Sequence, residues 1–467
     1  MKYNCLVHAN IIVIIIGAII GFQILTASII YIPTDYNSIQ LGIDNSVEND
    51  TIIVQSGTYY ENLTIVDKNL TIASNFLING DLNYISQTIV DGAGFDVIYI
   101  NGTNADLMSI VGITIQNAGS GSDGIKAYSE FRLINNIIQF CSDGIDYESG
   151  SGGLCSNNIF ENNFDDGIDL DGRVNILIEN NIIRDNSDDG IEIRLHDYQG
   201  PMLTYIIRSN QIYGNQEDGI QLIDGFDYSS REFYIDHNII FNNVMAGLGC
   251  MSGMNTIENY EGAAIAEPIF LINNTIANNE FGVTGGSNLT AFNNIVTGSA
   301  GIAMKNVNGN SLASYNDFWS NNINFENCNV DSGSTLFLNP LLNEVYHLQI
   351  ESPCIDTGNP DTSLDPDSTQ VDIGAVYFHQ TFGCTSEFAE NYMPEANIND
   401  GSCLYAFEFG DINRDTVLDI LDVIVMIEII LEYYTPEPID EFFGDIYPDG
   451  NITIYDIVLL VNLILEQ

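Results

Sequence analysis

One phrase recurs through the middle of this chain: Asn-Asn-x-Ile, a few polar residues, then Asp-Gly-Ile. Three consecutive copies show it best. Asn135-Asn136-Ile137 leads to Asp143-Gly144-Ile145-Asp146, Asn157-Asn158-Ile159 to Asp166-Gly167-Ile168-Asp169, and Asn180-Asn181-Ile182 to Asp189-Gly190-Ile191-Glu192. The aspartates before the glycines stand 23 residues apart twice (166 − 143 and 189 − 166). A fixed period of that size constrains the fold more than any other property. Each repeat must be one supersecondary unit that packs on its neighbours.

Residue chemistry says what the unit is. Each copy holds short Ile/Leu/Phe-rich runs with alternation, broken by Gly, Asn and Asp, so the pieces are strands and turns. Amphipathic runs of helix length are missing here. Three short strands and their turns fit a coil of about 22 residues, and stacked coils make parallel sheets. The second Asn of each pair recurs at Asn136, Asn158, Asn181, Asn210, Asn238, Asn274 and Asn294. Asparagines stacked at one turn can hydrogen-bond along the column, as Asn ladders do in cross-β stacks. Gly144, Gly167 and Gly190 are expected to supply a positive φ at a sharp corner. Disordered sequence does not keep Ile in step with such a period. The expected fold is an all-β right-handed parallel β-helix, a solenoid.

Charge narrows the partners. The 467 residues carry 11 Lys+Arg against 64 Asp+Glu, a net −53. Nucleic acid is excluded, because binding it needs a basic surface. Such a surface suits calcium or salt, and repels anionic polysaccharides unless cations bridge.

In chain order, residues 1–28 read as an export signal: Lys2, an apolar run over 11–25, then Thr26-Ala27-Ser28 for cleavage. A retained membrane anchor is the alternative. Export implies a secreted, extracellular location, with cell-surface attachment open. Ile32-Pro33-Thr34-Asp35-Tyr36-Asn37-Ser38-Ile39-Gln40, Asp50-Thr51-Ile52-Ile53-Val54 and Gly57-Thr58-Tyr59-Tyr60 open the folded chain. Asn339-Pro340-Leu341, Ser352-Pro353-Cys354-Ile355-Asp356 and Asp372-Ile373-Gly374-Ala375 close the solenoid. With the Asn-Asp-Gly-Ile coils between them, these segments resemble the bacterial pectate-lyase-like β-helix proteins. The resemblance covers about 30–378, within a β-helix domain set at 29–378. It implies a short capping helix near 39–47, over a sheet end that would otherwise invite another chain to pair. It is weak for reaction, because that fold hosts lyases, hydrolases, epimerases and inactive proteins.

Residues 379–406 look like a small module closed by Cys384 and Cys403, a pairing plausible in an exported protein. Cys141, Cys155, Cys250, Cys328 and Cys354 are expected to be buried small apolar residues. The tail, 407–467, changes character. Asp411, Asn413, Asp415, the Val417 carbonyl, Asp419 and Asp422 occupy positions one, three, five, seven, nine and twelve of a loop, the EF-hand spacing for calcium. A second loop offers Asp445, Asp449, the Asn451 carbonyl, Thr453 and Asp456. Apolar helices are expected after them, over 423–431 and 457–465, with no helix before either loop. Two such units resemble a type I dockerin, which implies bound calcium and a cohesin domain on a scaffold as partner. Thr416 replaces the usual Gly at position six, and Tyr447 the usual Asn at position three, which puts the second site in doubt. The resemblance assigns cohesin choice to positions ten and eleven, here Ile420-Leu421 and Ile454-Tyr455.

Strand alternation turns the residue after each Gly-Ile away from the core. That column reads Lys126, Asp146, Asp169, Glu192 and Gln221; the next outward one reads Tyr128, Glu148, Asp171, Arg194 and Ile223. Carboxylates one coil apart raise one another's pKa or recruit a cation. The repeat lengthens after this strand, around 195–203, 224–233 and 250–267, so loops are expected to wall a groove over the column. Three readings stand: a solvated acidic face, a structural calcium file, or a carbohydrate site with Lys126, Asp146, Asp169, Glu192 and Arg194 as catalytic candidates. Paired carboxylates suit a glycoside hydrolase; Lys126, Arg194 or Arg208 as base suits a polysaccharide lyase. His196 on the first loop is a further acid–base candidate. The functional expectation is a secreted β-helix protein that binds or degrades polysaccharide and rides on a cohesin-bearing scaffold. The alternative is a non-catalytic surface or adhesion protein displayed through the same dockerin.

Overall fold

A computed structural model describes residues 27–102, 108–224, 229–252, 260 and 265–466. The expected export signal at 1–28 therefore lies outside the described residues, save its last two. The chain divides into two compact units, residues 1–359 with 372–376, and residues 360–371 with 377–467.

In the first unit every coil contributes one strand to each of three parallel sheets, of 12, 11 and 11 strands. The coil at Glu130–Ile134, Ile137–Gln139 and Ile145–Tyr147 is typical. Alternation along each strand sends one set of side chains inward. In the second sheet this stacks Ile115, Ile138, Phe160, Ile183, Ile212, Ile240, Ile276, Val296 and Phe318 in one unbroken file. All are essentially inaccessible to solvent. Each such side chain contributes roughly 1.5–3 kcal/mol by leaving water.

The Asn-Asn pair has two separate duties. Asn135, Asn157, Asn180, Asn273 and Asn293 take φ of 50–59°, a left-handed turn that Asn tolerates better than most residues. The second Asn is buried and forms the ladder. Asn136, Asn158, Asn181, Asn210, Asn238, Asn274 and Asn294 each donate from Nδ2 to the next rung's Oδ1, at 2.8–3.1 Å, ending on Asn316. Each Oδ1 after the first also accepts the preceding rung's backbone N–H. A second ladder, Asn163, Asn186, Asn215, Asn243 and Asn279, runs along the turn after the second sheet.

The glycines need a correction. Gly144, Gly167 and Gly190 are absent from the left-handed region. They are small because coils approach closely: a β-carbon on Gly144 would come within 2.5 Å of the Gly167 carbonyl oxygen, and one on Gly167 within 2.7 Å of that of Gly190.

The capping helix spans Ile39–Asn45, two residues shorter than expected, with the Ser38 hydroxyl accepting from Leu41 N–H. Its Ile39, Gly42 and Ile43 are buried, and the space beside Gly42 is filled by Ile32 and Ile52 of the first sheet's end strands. At the far end the 372–376 segment lies along the last coils. Asn273 Nδ2 donates to the Asp372 carbonyl, and Ala375 N–H to Thr275 Oγ1.

In the second unit Cys384 and Cys403 form a disulfide. Phe388, Tyr405, Phe407 and Phe409 pack on Phe442 and Phe443 of the helix Pro438–Gly444. That helix directly precedes the second acidic loop, correcting the expectation that neither loop has one. Pro438 sets its first turn, and Asp440 accepts from Glu437 N–H at 2.9 Å. The other helices, Ile420–Ile430 and Ile454–Glu466, begin three residues earlier than expected, within the loops. Asp419 caps the first, in a capping box with Asp422. Among the described residues of the first unit there are five cysteines, of which four are buried and Cys328 is half-buried.

Candidate functional site: acidic rows and two acidic loops

The third sheet carries the candidate groove. Its register sets Lys126, Asp146, Asp169, Glu192 and Gln221 side by side on successive strands, with Asp171 beside Arg194 in the next row. Coils in such a sheet stand about 4.8 Å apart. The row faces outward, yet Asp146 and Glu192 are buried and Asp169 is half-buried.

Sequence reasoning missed half of this site. Asp143, Asp166, Asp189 and Asp218, at the turn before the strand, form an aspartate ladder, half-buried at Asp143 and buried at the other three. Each Oδ1 accepts the backbone N–H of its counterpart one coil on, at 2.6–3.1 Å, the last from Ala246. Asp165, Asp188 and Glu217 precede the last three of these. Oxygens of Asp166, Asp169 and Glu192 lie within 4.8 Å of one another, as do those of Asp165, Asp166 and Asp188, and those of Asp188, Asp189 and Glu217. The signal was present as doubled acids, Asp165-Asp166, Asp188-Asp189 and Glu217-Asp218, ahead of Gly-Ile.

Such crowding is electrostatically costly without protons or cations. Burial, then Glu192 and its other acidic neighbours, pushes Asp169 up to about 9. Burial, then Asp123, pushes Asp143 up to about 8, and burial with Glu217 takes Asp188 to about 7. Asp166 and Asp189 are raised well above the carboxylate range, by burial first and neighbouring carboxylates second. Burial raises Asp146 to about 6 although Lys126 opposes it. The buried Oδ1 atoms of Asp146, Asp169 and Asp171 have no hydrogen-bond partner. Unpaired carboxylate oxygens on two adjacent strands, beside the carboxylate triads, are a donor set that fits a hard cation such as calcium.

The basic candidates are already engaged. The Lys126 ammonium pairs with Asp146 and lies 3.4 Å from Glu148 and 3.5 Å from Asp123. Burial works against its charge, but these carboxylates win and hold it above the usual lysine range. Arg194 pairs with Glu192 at 2.5 Å. Arg208 sits on the first sheet, paired with Glu179, away from the row. His196 Nε2 is 3.9 Å from Asp171 Oδ1, so the 196–202 loop does reach the site. That loop meets the second insertion: Ser230 N–H donates to the Tyr198 carbonyl, and the Arg231 guanidinium lies 5.6 Å over the Tyr198 ring. Residues 225–228, 253–259 and 261–264 of the expected wall lie outside the described residues. From the third insertion, Tyr260 is buried, and its hydroxyl donates to Asp218.

The two C-terminal loops fold alike. Asp411 accepts from the N–H groups of Asp415 and Thr416, as Asp445 does from Asp449 and Gly450. Asp422 accepts from Asn413 and Asp419, as Asp456 does from Tyr447 and Thr453. Thr416 takes φ of 70° and Gly450 84°, so Thr416 holds a left-handed turn against its β-branch. In the first loop Asp411, Asn413, Asp415, Asp419, Asp422 and the Val417 carbonyl fit calcium's preference for many oxygens. In the second, Asp445, Asp449, Thr453, Asp456 and the Asn451 carbonyl remain, and Tyr447 removes one side-chain donor. Ile420, Leu421, Ile454 and Tyr455 are all exposed.

A parallel solenoid bearing acidic rows, with a helical module of paired calcium-type loops at its C-terminal end, defines the class. The chain is a right-handed parallel β-helix with a type I dockerin domain: residues 74–197 match the family described as right handed beta helix region, and 409–465 the dockerin type I domain. Among solved structures it is similar to pectate lyase Pel9A, at 14% identity over 76% of this chain and 98% of that one, TM-score 0.55. The A-module of the Azotobacter vinelandii mannuronan C-5 epimerase AlgE6 aligns at 15% identity over 65% of this chain and 94% of that one, TM-score 0.46. No curated protein matches the chain by sequence. Among the described residues no helix is long and apolar enough to cross a membrane.

Proposed function

We propose that the protein is exported and held by a cohesin-bearing scaffold through its dockerin, and that its β-helix binds acidic polysaccharide over cations on the acidic rows. In this reading 1–28 is the signal peptide, 29–378 the β-helix, 379–406 the cysteine-closed module and 407–467 the dockerin. The observation that carries it is the convergence of Asp166, Asp169 and Glu192, with buried Asp169 Oδ1 unpartnered. A divalent cation there would neutralise the carboxylates and present positive charge to a uronate. Asp166, Asp169 and Glu192 would hold it, with Asp165 and Asp188 adjoining. Lys126 and Arg194 oppose the burial that raises Asp146 and Glu192, and hold both carboxylates in position. The relationship in fold to a pectate lyase agrees with a polysaccharide ligand and leaves the reaction open.

A display protein without catalysis is the second reading, and one observation favours it: Lys126 in the first row and Arg194 in the next are both tied to carboxylates and held protonated, so neither is a ready base. Incubation of the full chain with a panel of acidic and neutral glycans, with calcium or chelator, separates the readings. Calcium-dependent binding is expected, lost in Asp169→Asn and Glu192→Gln; chain cleavage that disappears in the same variants would add catalysis. Absence of any glycan binding by the parent would leave display alone.

A further inference from the structure

The candidate row does not begin at Lys126. The third sheet's register extends it backwards through Tyr99 to Thr64. In the neighbouring outward row the Tyr128 hydroxyl donates to Glu148 Oε1 at 3.0 Å, and Asn101 Nδ2 donates to the Tyr99 hydroxyl at 3.1 Å. Both hydroxyls are thus anchored and both rings are half-exposed. The ring centroids lie 5.6 Å apart with planes tilted by 43°. Two outward cross-strand pairs differ: Tyr213–Phe241 and Tyr234–Phe270 are stacked at 15° and 17°, each ring covering its neighbour's face. The tilted pair leaves π-surface for something else. On the opposite side of the acidic cluster the row continues instead through Gln221 and Gly249, where the insertions rise.

We propose that Tyr99 and Tyr128 form a stacking subsite for one sugar ring of an extended acidic polysaccharide whose adjoining residues lie over Asp166, Asp169 and Glu192. This rests on the polysaccharide-binding reading above and gives it a direction. A pyranose presents an apolar C–H face that an aromatic ring accepts, while its hydroxyls reach polar neighbours. Those neighbours are at hand: beyond Tyr99 a cavity of mixed character is lined by Gln40, Asp44, Asn62, Thr64 and Lys68 together with Ile43 and Val66. Tyr99 stands three coils from Asp169, about 14 Å at the usual strand spacing. The ligand is therefore a polymer or long oligomer lying along the solenoid axis, not a single sugar.

The test uses the full chain in calcium, with polygalacturonate and alginate as probes, by titration calorimetry. Replacing both tyrosines by alanine should weaken binding of the bound polymer about tenfold. Tyr99→Phe with Tyr128→Phe, which keeps the rings, should bind as the parent does. Leucine at both positions fills the volume without a π-face and carries the same expectation as alanine, should alanine disturb the sheet. Polymer binding equal to the parent's in the alanine and leucine variants, while Asp169→Asn loses it, would overturn the subsite and leave the cation reading standing. Equal weakening by phenylalanine and alanine would overturn stacking in favour of the hydroxyls. A parent that binds neither polymer would sink both.

Discussion

Asn181 is an interior rung of the asparagine ladder, and its replacement by alanine tests the fold most directly. Its Oδ1 accepts from Asn158 N–H at 2.8 Å and from Asn158 Nδ2 at 3.0 Å. Its Nδ2 donates to the Cys155 carbonyl at 2.9 Å and to Asn210 Oδ1 at 3.0 Å. All three partner residues are buried, so water cannot replace what alanine removes. An orphaned buried donor or acceptor costs about 1–3 kcal/mol. Asn210 Oδ1 keeps its bond from Asn181 N–H, and the carboxamide of Asn158 keeps its bond to Leu133 O, so the losses overlap. A net loss of about 2–4 kcal/mol is expected. Asn157, one residue before a rung, is the control: it is exposed, with φ of 58°. Asn157→Gly should change stability by less than about 0.5 kcal/mol. Urea denaturation followed by far-UV circular dichroism reads both variants against the parent. Because coils of a solenoid need not unfold together, the β-helix midpoint is compared rather than an extrapolated free energy. An Asn181→Ala midpoint equal to that of Asn157→Gly would refute the ladder as a source of stability.

Three further outcomes are expected. Burial raises Asp317 to about 6 against an unfolded value near 4; its contribution is full below about pH 4 and lost as pH climbs through 6. Asp317→Asn keeps the Leu338 N–H acceptor and should stabilise the protein by roughly 1–3 kcal/mol at pH 7.5 but hardly at pH 4, and an unchanged pH slope in denaturation would contradict this. Calcium should raise the helical signal and melting temperature of the C-terminal unit, Asp411→Ala and Asp422→Ala damaging the response more than substitution of Tyr447; identical dichroism in calcium and in chelator would dismiss the loops as metal sites. Leu421→Asp combined with Tyr455→Asp should abolish capture by a cohesin, since exposed apolar pairs on so acidic a chain call for a covering partner; retained pull-down would remove them from the interface.

The period and the ladder were legible because they are properties of spacing. Stacking puts equivalent residues in one file, so Asn158 and Asn181, or Asp169 and Glu192, could be paired by counting alone. What counting could not supply was the cross-section of a coil. The glycine of Asp-Gly-Ile looks like a corner residue in sequence. Its requirement is set by the carbonyl of the next coil, a contact 23 residues away, while the left-handed turn is taken by the first Asn. The same blindness hid the doubled acids. Asp166 and Asp189 served as markers of the repeat, and only their burial beside Asp169 and Glu192 shows that they share a site with the outward row. Loop Thr416 shows the converse, a departure visible in sequence that the backbone absorbs by keeping the turn glycine would have made.

The ladder has one more consequence. Successive rungs are separated by 22, 23, 29, 28, 36, 20 and 22 residues, yet their bond lengths are alike. Distance along the chain and distance along the axis are thus uncoupled. Chain length added between rungs is discharged sideways and never shifts the neighbouring coils out of register. A lineage of such proteins could lengthen, shorten or exchange the segments beside the acidic rows while the carboxylates stayed at a constant pitch. Recognition could be revised there without refolding the rod that carries it.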